Sequence, residues 1–215
     1  MYKVDLHTHS IASPDGSLTL EHYRQALGEQ RLDYVAITDH NRIDYAQQVQ
    51  AVLGERIIVG EEITAKEGEV IGLFLTRPVP AGLPLAQTIE QIISQGGLVY
   101  IPHPFESVRK GLPAAALDAV ADQVAIVEVH NGRAVFQNKT NQAEAWARAH
   151  AKAGAASSDA HGWYGWCKTY STIDRAPMRD TLPIALAAAR YTVGSAGVRG
   201  VLYPKFNRLR RKFHA

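Results

Sequence analysis

Histidines recur in this sequence of 215 residues at the points where stretches rich in β-branched residues end. Six of its nine histidines have this placement, and three carboxylates lie at comparable positions. The histidines are His7, His9, His40, His103, His130 and His161, and the carboxylates are Asp15, Glu62 and Asp159. Imidazoles and carboxylates without thiols are typical ligands of Mn, Zn and Fe. Because nine donors exceed the three protein ligands of one catalytic zinc ion, the sequence predicts two or three divalent ions.

Closely spaced divalent ions favour a particular kind of reaction. Two ions can clamp the attacking and leaving oxygens of an in-line displacement, which is the arrangement used in phosphoester hydrolysis. Deamination and amide hydrolysis also use clusters of this kind, and the residue types alone do not separate these reactions. The donors therefore indicate metal-dependent chemistry without fixing the substrate.

Strand-like and helix-like stretches alternate along the chain. Strands are predicted at 2–6, 34–38, 56–60, 70–75, 98–102, 124–129 and 154–157. Helices are predicted at 18–27, 45–53, 85–94, 113–120, 138–151 and 181–189. This alternation favours a parallel sheet with helical crossovers, and about seven repeats favour a barrel. Since the carboxyl ends of barrel strands meet at one rim, the nine donors are expected to converge there.

Composition restricts the class of protein. Hydrophobic residues make up 46% of the chain and charged residues 20%, with a net charge of +2, which indicates an ordered globular protein. The single cysteine, Cys167, excludes a disulfide framework and a cysteine-rich zinc module. No apolar run approaches the roughly 20 residues that span a bilayer, and the N-terminus lacks the apolar segment of a secretory signal. We expect a cytoplasmic protein without membrane contact, and the sequence does not indicate its oligomeric state.

The chain divides into a long mixed region and a short basic end. Residues 1–204 are expected to form one barrel domain, and residues 205–215 a basic C-terminal tail. The tail contains no acidic residue and five basic ones, which are Lys205, Arg208, Arg210, Arg211 and Lys212. It is either a solvated end or an arm that contacts nucleic acid, because clusters of lysine and arginine attract phosphates.

Six short motifs follow one another along the chain and carry most of the donors. They are DLHTHS at 5–10 with Asp15-Gly16, ITDHN at 37–41, GEEIT at 60–64, IPHP at 101–104, VEVHNGR at 127–133 and SDAH at 158–161. In this order the motifs resemble those of the PHP family, whose name covers the polymerase and histidinol phosphatase domains. The resemblance implies an α/β fold, a distorted (β/α)7 TIM-like barrel with a trinuclear metal centre at its C-terminal rim.

The resemblance also implies a distribution of the ligands among three ions. It assigns the first ion to His7, His9, Glu62 and Asp159. It assigns the second ion to Glu62, which would bridge, together with His103 and His130. It assigns the third ion to Asp15, His40 and His161. Glu61 is the neighbouring alternative. We prefer Glu62 because Glu62 directly precedes Ile63-Thr64, as the family glutamate does.

The activity implied is that of a metal-dependent phosphoesterase. Its substrate would be a phosphomonoester or phosphodiester of a small metabolite or nucleotide, hydrolysed by metal-bound hydroxide. Glu62 and Asp159 would then be catalytic through the metal centre, and two or three ions of the Mn, Zn or Fe type would be bound. Two alternatives stay open: a 3'-5' exonuclease that trims oligonucleotides, and a non-catalytic metal-binding scaffold.

Five further residues receive roles from their places beside the motifs. Arg133, just past a predicted strand, is expected to grip a substrate phosphate with two parallel hydrogen bonds. Lys168 is a second candidate for substrate binding, and Lys66 and Arg109 are weaker ones. Asp39 either orients an imidazole by a hydrogen bond or caps the helix that follows it.

Overall fold

The structure is a computed structural model that describes the backbone of residues 1–213 and the side chains of residues 1–210. The strands are β1 (Tyr2–Asp5), β2 (Tyr34–Ile37), β3 (Ile57–Thr64), β4 (Glu69–Leu73), β5 (Leu98–Ile101), β6 (Ile126–Asn131), β7 (Ala153–Ser157), β8 (Tyr170–Ile173) and β9 (Arg190–Thr192). The helices are α1 (Leu20–Gly28), α2 (Asp44–Leu53), α3 (Leu85–Ile93), α4 (Ala114–Ala119), α5 (Thr140–Ala149), α6 (Leu182–Leu186) and α7 (Gly197–Phe213), with short 3-10 helices at Gly54–Arg56 and Ala121–Gln123.

All nine strands belong to one sheet, in the order β7-β6-β5-β4-β3-β2-β1-β8-β9. The first seven strands are neighbours in the order of the chain, which confirms the predicted seven-stranded barrel. Strands β8 and β9 were not predicted; they add two antiparallel neighbours beyond β1. The strand predicted at 56–60 is longer than expected, because β3 continues through the GEEIT motif to Thr64.

One strand of the seven runs against the others. Strand β4 is antiparallel to both β3 and β5, whereas β1, β2 and β3 are parallel, as are β5, β6 and β7. Only residues 65–68 connect β3 to β4, and the Ala65 amide donates to the Gly68 carbonyl in this turn. A connection this short makes a hairpin, since a parallel neighbour needs a crossover of a dozen or more residues.

The sheet closes almost completely where β7 faces β8 and the segment after β1. The Ser171 hydroxyl of β8 bonds the Ala156 amide at 2.9 Å and the Ala156 carbonyl at 3.2 Å. Nearer the rim, the His9 amide donates to the Ala160 carbonyl at 2.9 Å. The first and seventh strands therefore meet at the end of the barrel that carries the motif histidines.

Two apolar clusters hold the strands in place. The outer cluster joins helices α1 to α5 to strand residues such as Val35, Val59 and Val127. The inner cluster contains the alternate residues of the same strands, among them Ile58 and Ile126, and is completed by α6. Each strand thus buries both faces, as expected for a barrel surrounded by helices.

The C-terminal residues are part of a helix and not an extended arm. Residues 205–213 of the predicted tail continue helix α7, and residues 214–215 lie outside the described part of the chain. Helix α7 is fixed to the rim by Asn207, whose buried amide donates to the Asp15 carbonyl at 2.7 Å and to the His161 carbonyl at 3.3 Å. Among residues 1–213, no helix is both long and apolar enough to cross a membrane.

Candidate metal centre

Eight of the nine predicted donors come together at the carboxyl ends of the barrel strands. They are His7 and His9 after β1, Asp15 in the following loop, His40 after β2, Glu62 in β3, His103 after β5, and Asp159 and His161 after β7. All are buried except His40, whose side chain is 15% exposed. The parallel strands produce this convergence because their carboxyl ends share one rim.

His7 and His9 face each other at the centre of the cluster. Their Nε2 atoms are 3.1 Å apart, and each lies 3.3–3.6 Å from a Glu62 oxygen and an Asp159 oxygen. His7 uses its other nitrogen, Nδ1, to donate to Glu128 at 3.1 Å, which fixes the ring so that Nε2 faces the cluster. Two imidazole nitrogens and two carboxylate oxygens pointing at one centre fit a divalent cation.

Glu62 connects this group to its neighbours through both oxygens. Its Oε2 lies 3.2 Å from His40 Nδ1, in addition to the contacts with His7 and His9. Its Oε1 lies 3.0 Å from His103 Nε2. A carboxylate shared in this way can bridge two ions, which agrees with the role that the resemblance implied for it.

A third group is centred on Asp15. Its Oδ2 lies 3.6 Å from His40 Nε2 and 3.5 Å from His161 Nε2. The same oxygen accepts a hydrogen bond from Arg208 of helix α7 at 2.5 Å. The predicted ligands of the third ion are thus brought together, and a basic side chain from the end of the chain reaches them as well.

His130 is the one predicted ligand that the structure does not bring to the cluster. Its Nε2 lies 3.3 Å from Glu144 of α5, and its ring packs against Tyr191. The reason is a bulge in β6, where Glu128 pairs with Ala155 but His130 already pairs with Ala156. The extra residue between them turns His130 toward the helices, although alternation along a regular strand would place it beside Glu128.

Glu128 was not predicted, yet it supports two of the histidines. Besides accepting from His7, it accepts from the Tyr100 hydroxyl at 3.0 Å and from the His103 amide at 2.7 Å. Glu128 also belongs to the VEVHNGR motif, so the available signal was its place two residues before His130. It orients the imidazole of His7 and the backbone of the His103 loop.

Glu69, the first residue of β4, is a second carboxylate that no motif indicated. Its oxygens lie 3.9 Å from His40 and 3.9 Å from His103, and the residue is buried. Burial, together with the charge of Glu62, raises the pKa of Glu69 to about 9. The hairpin that places it here is formed by a strand whose direction the sequence did not indicate.

The charges in the centre favour an added cation. Burial alone would lower the pKa of His9, but hydrogen bonds to Asp159 and Glu62 outweigh it and raise this pKa to about 9. Burial would raise the pKa of Asp159, but Arg133 and His7 hold it well below its usual range. Likewise His40 and His7 hold the pKa of Glu62 well below its usual range, against the effect of burial. Glu62 and Asp159 therefore stay ionised and draw positive charge to the imidazoles.

Two ligands have backbone conformations that L-residues rarely adopt. The φ angle is 29° at His103 and 50° at Asp159. Strained residues of this kind persist where the surrounding structure over-determines them, and they are concentrated at functional sites. His103 and Asp159 are thus held in place by the loops that surround them, although positive φ angles also occur elsewhere, as at Gln30 and Ala151.

Two arginines hold Asp159 from the side of the cavity. Arg109 donates to Asp159 Oδ2 at 2.6 Å and to Glu106 through two nitrogens, and Arg133 donates to Asp159 Oδ1 at 3.2 Å. The loop that carries Arg109 is tightly folded, because a Cβ at Gly111 would lie 2.1 Å from the His103 carbonyl. Arg109 therefore has a larger part in the site than its sequence position indicated.

Lys168 and Asp39 do not have their predicted places. Lys168 is exposed and is not among the residues that line the cavity above the metal ligands. Asp39 accepts hydrogen bonds from the Ser10 amide and hydroxyl, so it neither contacts an imidazole nor caps helix α2, which begins without a side-chain cap. Glu61, the alternative to Glu62, points away from the cluster and accepts from the Val79 amide at 2.8 Å.

The cavity over the ligands has a volume of about 330 Å³. Its floor contains Asp15, His40, Glu62, Glu69, His103, Asp159 and His161. Its walls contain five basic residues, which are Arg109, Lys110, Arg133, Lys205 and Arg208. A carboxylate–imidazole floor under basic walls can hold divalent ions together with an anionic ligand.

Two proteins of Methanocaldococcus jannaschii are similar to this chain in sequence. The chain is 33% identical over 149 residues to the uncharacterized protein MJ1587 of Methanocaldococcus jannaschii, covering 63% of this chain and 87% of that protein. It is 35% identical over 164 residues to MJ0417 of the same organism, covering 74% of this chain and 65% of that protein.

Among solved structures, the fold is similar to a two-domain protein from Bacteroides vulgatus that contains a predicted PHP-like metal-dependent phosphoesterase. The TM-score is 0.71 at 19% identity, and the match covers 96% of this chain and 69% of that one. The PHP domain family itself matches residues 5–153, which include five of the six motifs. The matched segment exceeds half of the chain, and the protein therefore belongs to the PHP domain family.

Proposed function

We propose that this protein is a metal-dependent phosphoesterase that hydrolyses a phosphoester of a small metabolite or nucleotide. The observation that carries the proposal is the combination of a floor of metal donors with basic walls in one cavity of about 330 Å³. A phosphoester needs both, because its hydrolysis places negative charge on the phosphoryl oxygens and on the leaving oxygen.

Two or three ions of the Mn, Zn or Fe type fit the donors of the floor together with His7 and His9, which adjoin them. His7, His9, Glu62 and Asp159 would hold one ion, Glu62 and His103 a second, and Asp15, His40 and His161 a third. When bound, such ions supply a hydroxide at neutral pH and neutralise phosphoryl charge. Glu62 and Asp159 act in the reaction by holding this arrangement.

The basic walls have two separate tasks. Arg109 and Arg133 hold Asp159 in place and keep it ionised, and both line the cavity. The side chains of Lys110 and Lys205 form no hydrogen bond or ion pair with residues 1–210, so they are free to contact a substrate phosphate. A phosphorylated ligand would thus bind between fixed arginines and available lysines.

A panel of phosphomonoesters and phosphodiesters, assayed for phosphate release with added manganese, tests the proposal. We expect turnover of at least one small phosphoester that is abolished by a chelator and absent in Glu62→Gln. A protein that binds manganese stoichiometrically but hydrolyses no member of the panel would instead support the metal-binding scaffold.

A nuclease is the second candidate, and helix α7 is the observation that favours it. Lys205 and Arg208 of this helix line the cavity, so basic charge continues from the metal centre toward the C-terminus. Oligonucleotides and mononucleotides should be compared as substrates in the full chain and in Lys205→Ala. A nuclease would favour oligonucleotides and lose that preference in the variant, since phosphate contacts add up along a strand.

A further inference from the structure

The backbone of the β3–β4 hairpin puts Glu69 on the same side of the sheet as Glu62. Thr64 pairs with Glu69, and Glu62 pairs with Ile71. Residues two apart on a strand share a face, and directly paired residues of neighbouring strands share it as well. The strand register therefore makes the carboxylate of Glu69 face the metal centre, although Glu69 belongs to none of the six motifs.

The two oxygens of Glu69 face the two imidazoles that Glu62 also contacts. Oε1 lies 3.9 Å from His40 Nδ1, and Oε2 lies 3.9 Å from His103 Nε2. His40 and His103 are themselves 3.2 and 3.0 Å from Glu62 oxygens. Glu62, Glu69 and the two imidazoles thus surround one space at the floor of the cavity, and the donor atoms of His40, Glu62 and Glu69 all lie within 4.8 Å of one another.

Glu62 and Glu69 differ in their partners from the other two carboxylates of the centre. Asp159 is paired with Arg109 and Arg133, and Asp15 is paired with Arg208. Glu62 and Glu69, by contrast, form no ion pair with a lysine or arginine among residues 1–210. A cation in this space would therefore not compete with a fixed lysine or arginine side chain for the oxygens of Glu62 and Glu69.

The second ion also lacks a donor. Glu62 and His103 are two of its assigned ligands, and the third, His130, is turned toward Glu144 by the bulge in β6. Two side chains are fewer than the three protein ligands usual for a catalytic ion. Glu69 of the neighbouring strand β4, whose Oε2 lies 3.9 Å from His103 Nε2, is a carboxylate that can supply the missing donor.

We propose that Glu69 is a ligand of the second metal ion, with Glu62 and His103, in the place that the sequence motifs assign to His130. The proposal rests on the metal-dependent function proposed above. It makes the second site a two-carboxylate, one-imidazole site, whose harder oxygen ligands suit Mn or Fe better than the site with two imidazoles would.

The test is metal binding by Glu69→Gln, with His130→Gln as its matched control. Each metal-free protein is titrated with manganese by calorimetry, and the bound ions are then counted by elemental analysis after desalting. We expect Glu69→Gln to lose one ion per chain, or to bind it at least about 10-fold more weakly. We expect His130→Gln to match the wild-type protein in both number and affinity.

The proposal is overturned if Glu69→Gln binds as many ions as tightly as the wild type, or if His130→Gln loses one. Thermal melting in the presence of a chelator checks that both variants fold. Glu69→Asp provides a second variant. It keeps the carboxylate, but its shorter side chain moves the oxygens away from the centre, so the affinity for one ion should fall as well. These measurements do not use turnover. A failure of the phosphoesterase assay would therefore leave the metal-binding result intact, and a failure of the metal-binding test would leave the turnover result intact.

Discussion

Glu62 contacts four imidazoles, and both of its oxygens take part. The distances to His7, His9, His40 and His103 lie between 3.0 and 3.5 Å. Glu61, one residue earlier, has the same side chain but faces the opposite side of β3 and contacts none of them. The difference between these neighbours follows from strand alternation alone.

This contrast gives a matched pair of variants. Glu62→Gln should lose bound metal and lower kcat by about 1,000-fold or more, because the ions supply both nucleophile and charge stabilisation. Glu61→Gln keeps its size and its hydrogen bond to Val79, so metal content and kcat should stay near wild type. Elemental analysis and turnover at one manganese concentration check both. Loss of metal in Glu61→Gln with retention in Glu62→Gln would reverse the assignment.

The protonation of His9 predicts how metal binding depends on pH. Its pKa is raised to about 9 in the metal-free protein, so the ring is protonated at neutral pH and must release a proton when an ion binds. Affinity for the ion should therefore increase with pH up to about 9 and level off above it. Calorimetric titration with manganese at pH 7.5 in two buffers of different ionisation enthalpy measures the protons released. Equal heats in the two buffers would contradict the prediction.

Among the elements, helix α7 contributes side chains to the walls of the cavity. Asn207 fixes it to the loops of Asp15 and His161, and Lys205 and Arg208 face the cavity. Arg208 also pairs with the carboxylate of Asp15, whereas Lys205 forms no ion pair with a predicted metal ligand among residues 1–210. Lys205 can therefore affect the binding of an anionic substrate while the predicted metal ligands stay in place.

Lys205→Ala tests this separation. The variant should raise KM for an anionic substrate several-fold and reduce the salt dependence of kcat/KM, because one phosphate-attracting charge is lost. Metal content should not change. Arg199→Ala is the control, since it removes one positive charge from the same helix at an exposed position that does not line the cavity. If the two variants behave alike, Lys205 does not contact the substrate.

The elements also explain what the sequence could and could not predict. His7, His40 and Asp159 could be placed because each directly follows a strand with a clear apolar pattern, and parallel strands end at one rim. Glu69 could not, because its position depends on β4 running antiparallel, which a turn of four residues decides. Arg208 could not either, since its contact with Asp15 joins residues 193 positions apart in the chain.

In the molecule as a whole, the metal centre lies where the barrel closes. His7 and His9 follow the first strand, and Asp159 follows the seventh, with the amide of His9 bonded to the Ala160 carbonyl between them. An ion held by these residues would join the two edges of the sheet. Such an ion binds the folded barrel but finds no equivalent site in the unfolded chain.

Metal should therefore stabilise the entire fold. At a free ion concentration of 100 times Kd, one site adds about 2.7 kcal/mol, which corresponds to an increase in Tm of roughly 5–10 °C for a chain of this size. Thermal melting of the chelator-treated protein with and without manganese measures the shift. Glu62→Gln should show a much smaller one. An equal shift in the variant would mean that the stabilising ion binds elsewhere.

The bulge in β6 has a consequence for how this centre could change during evolution. Between Glu128 and His130, β6 has one residue more than the facing part of β7. His130 points outward because of this extra residue. Inserting one residue in β7 between Ala155 and Ala156 would restore one-to-one pairing and turn His130 inward. A lineage could thus exchange a ligand through an insertion in a neighbouring strand, with every letter of the VEVHNGR motif unchanged.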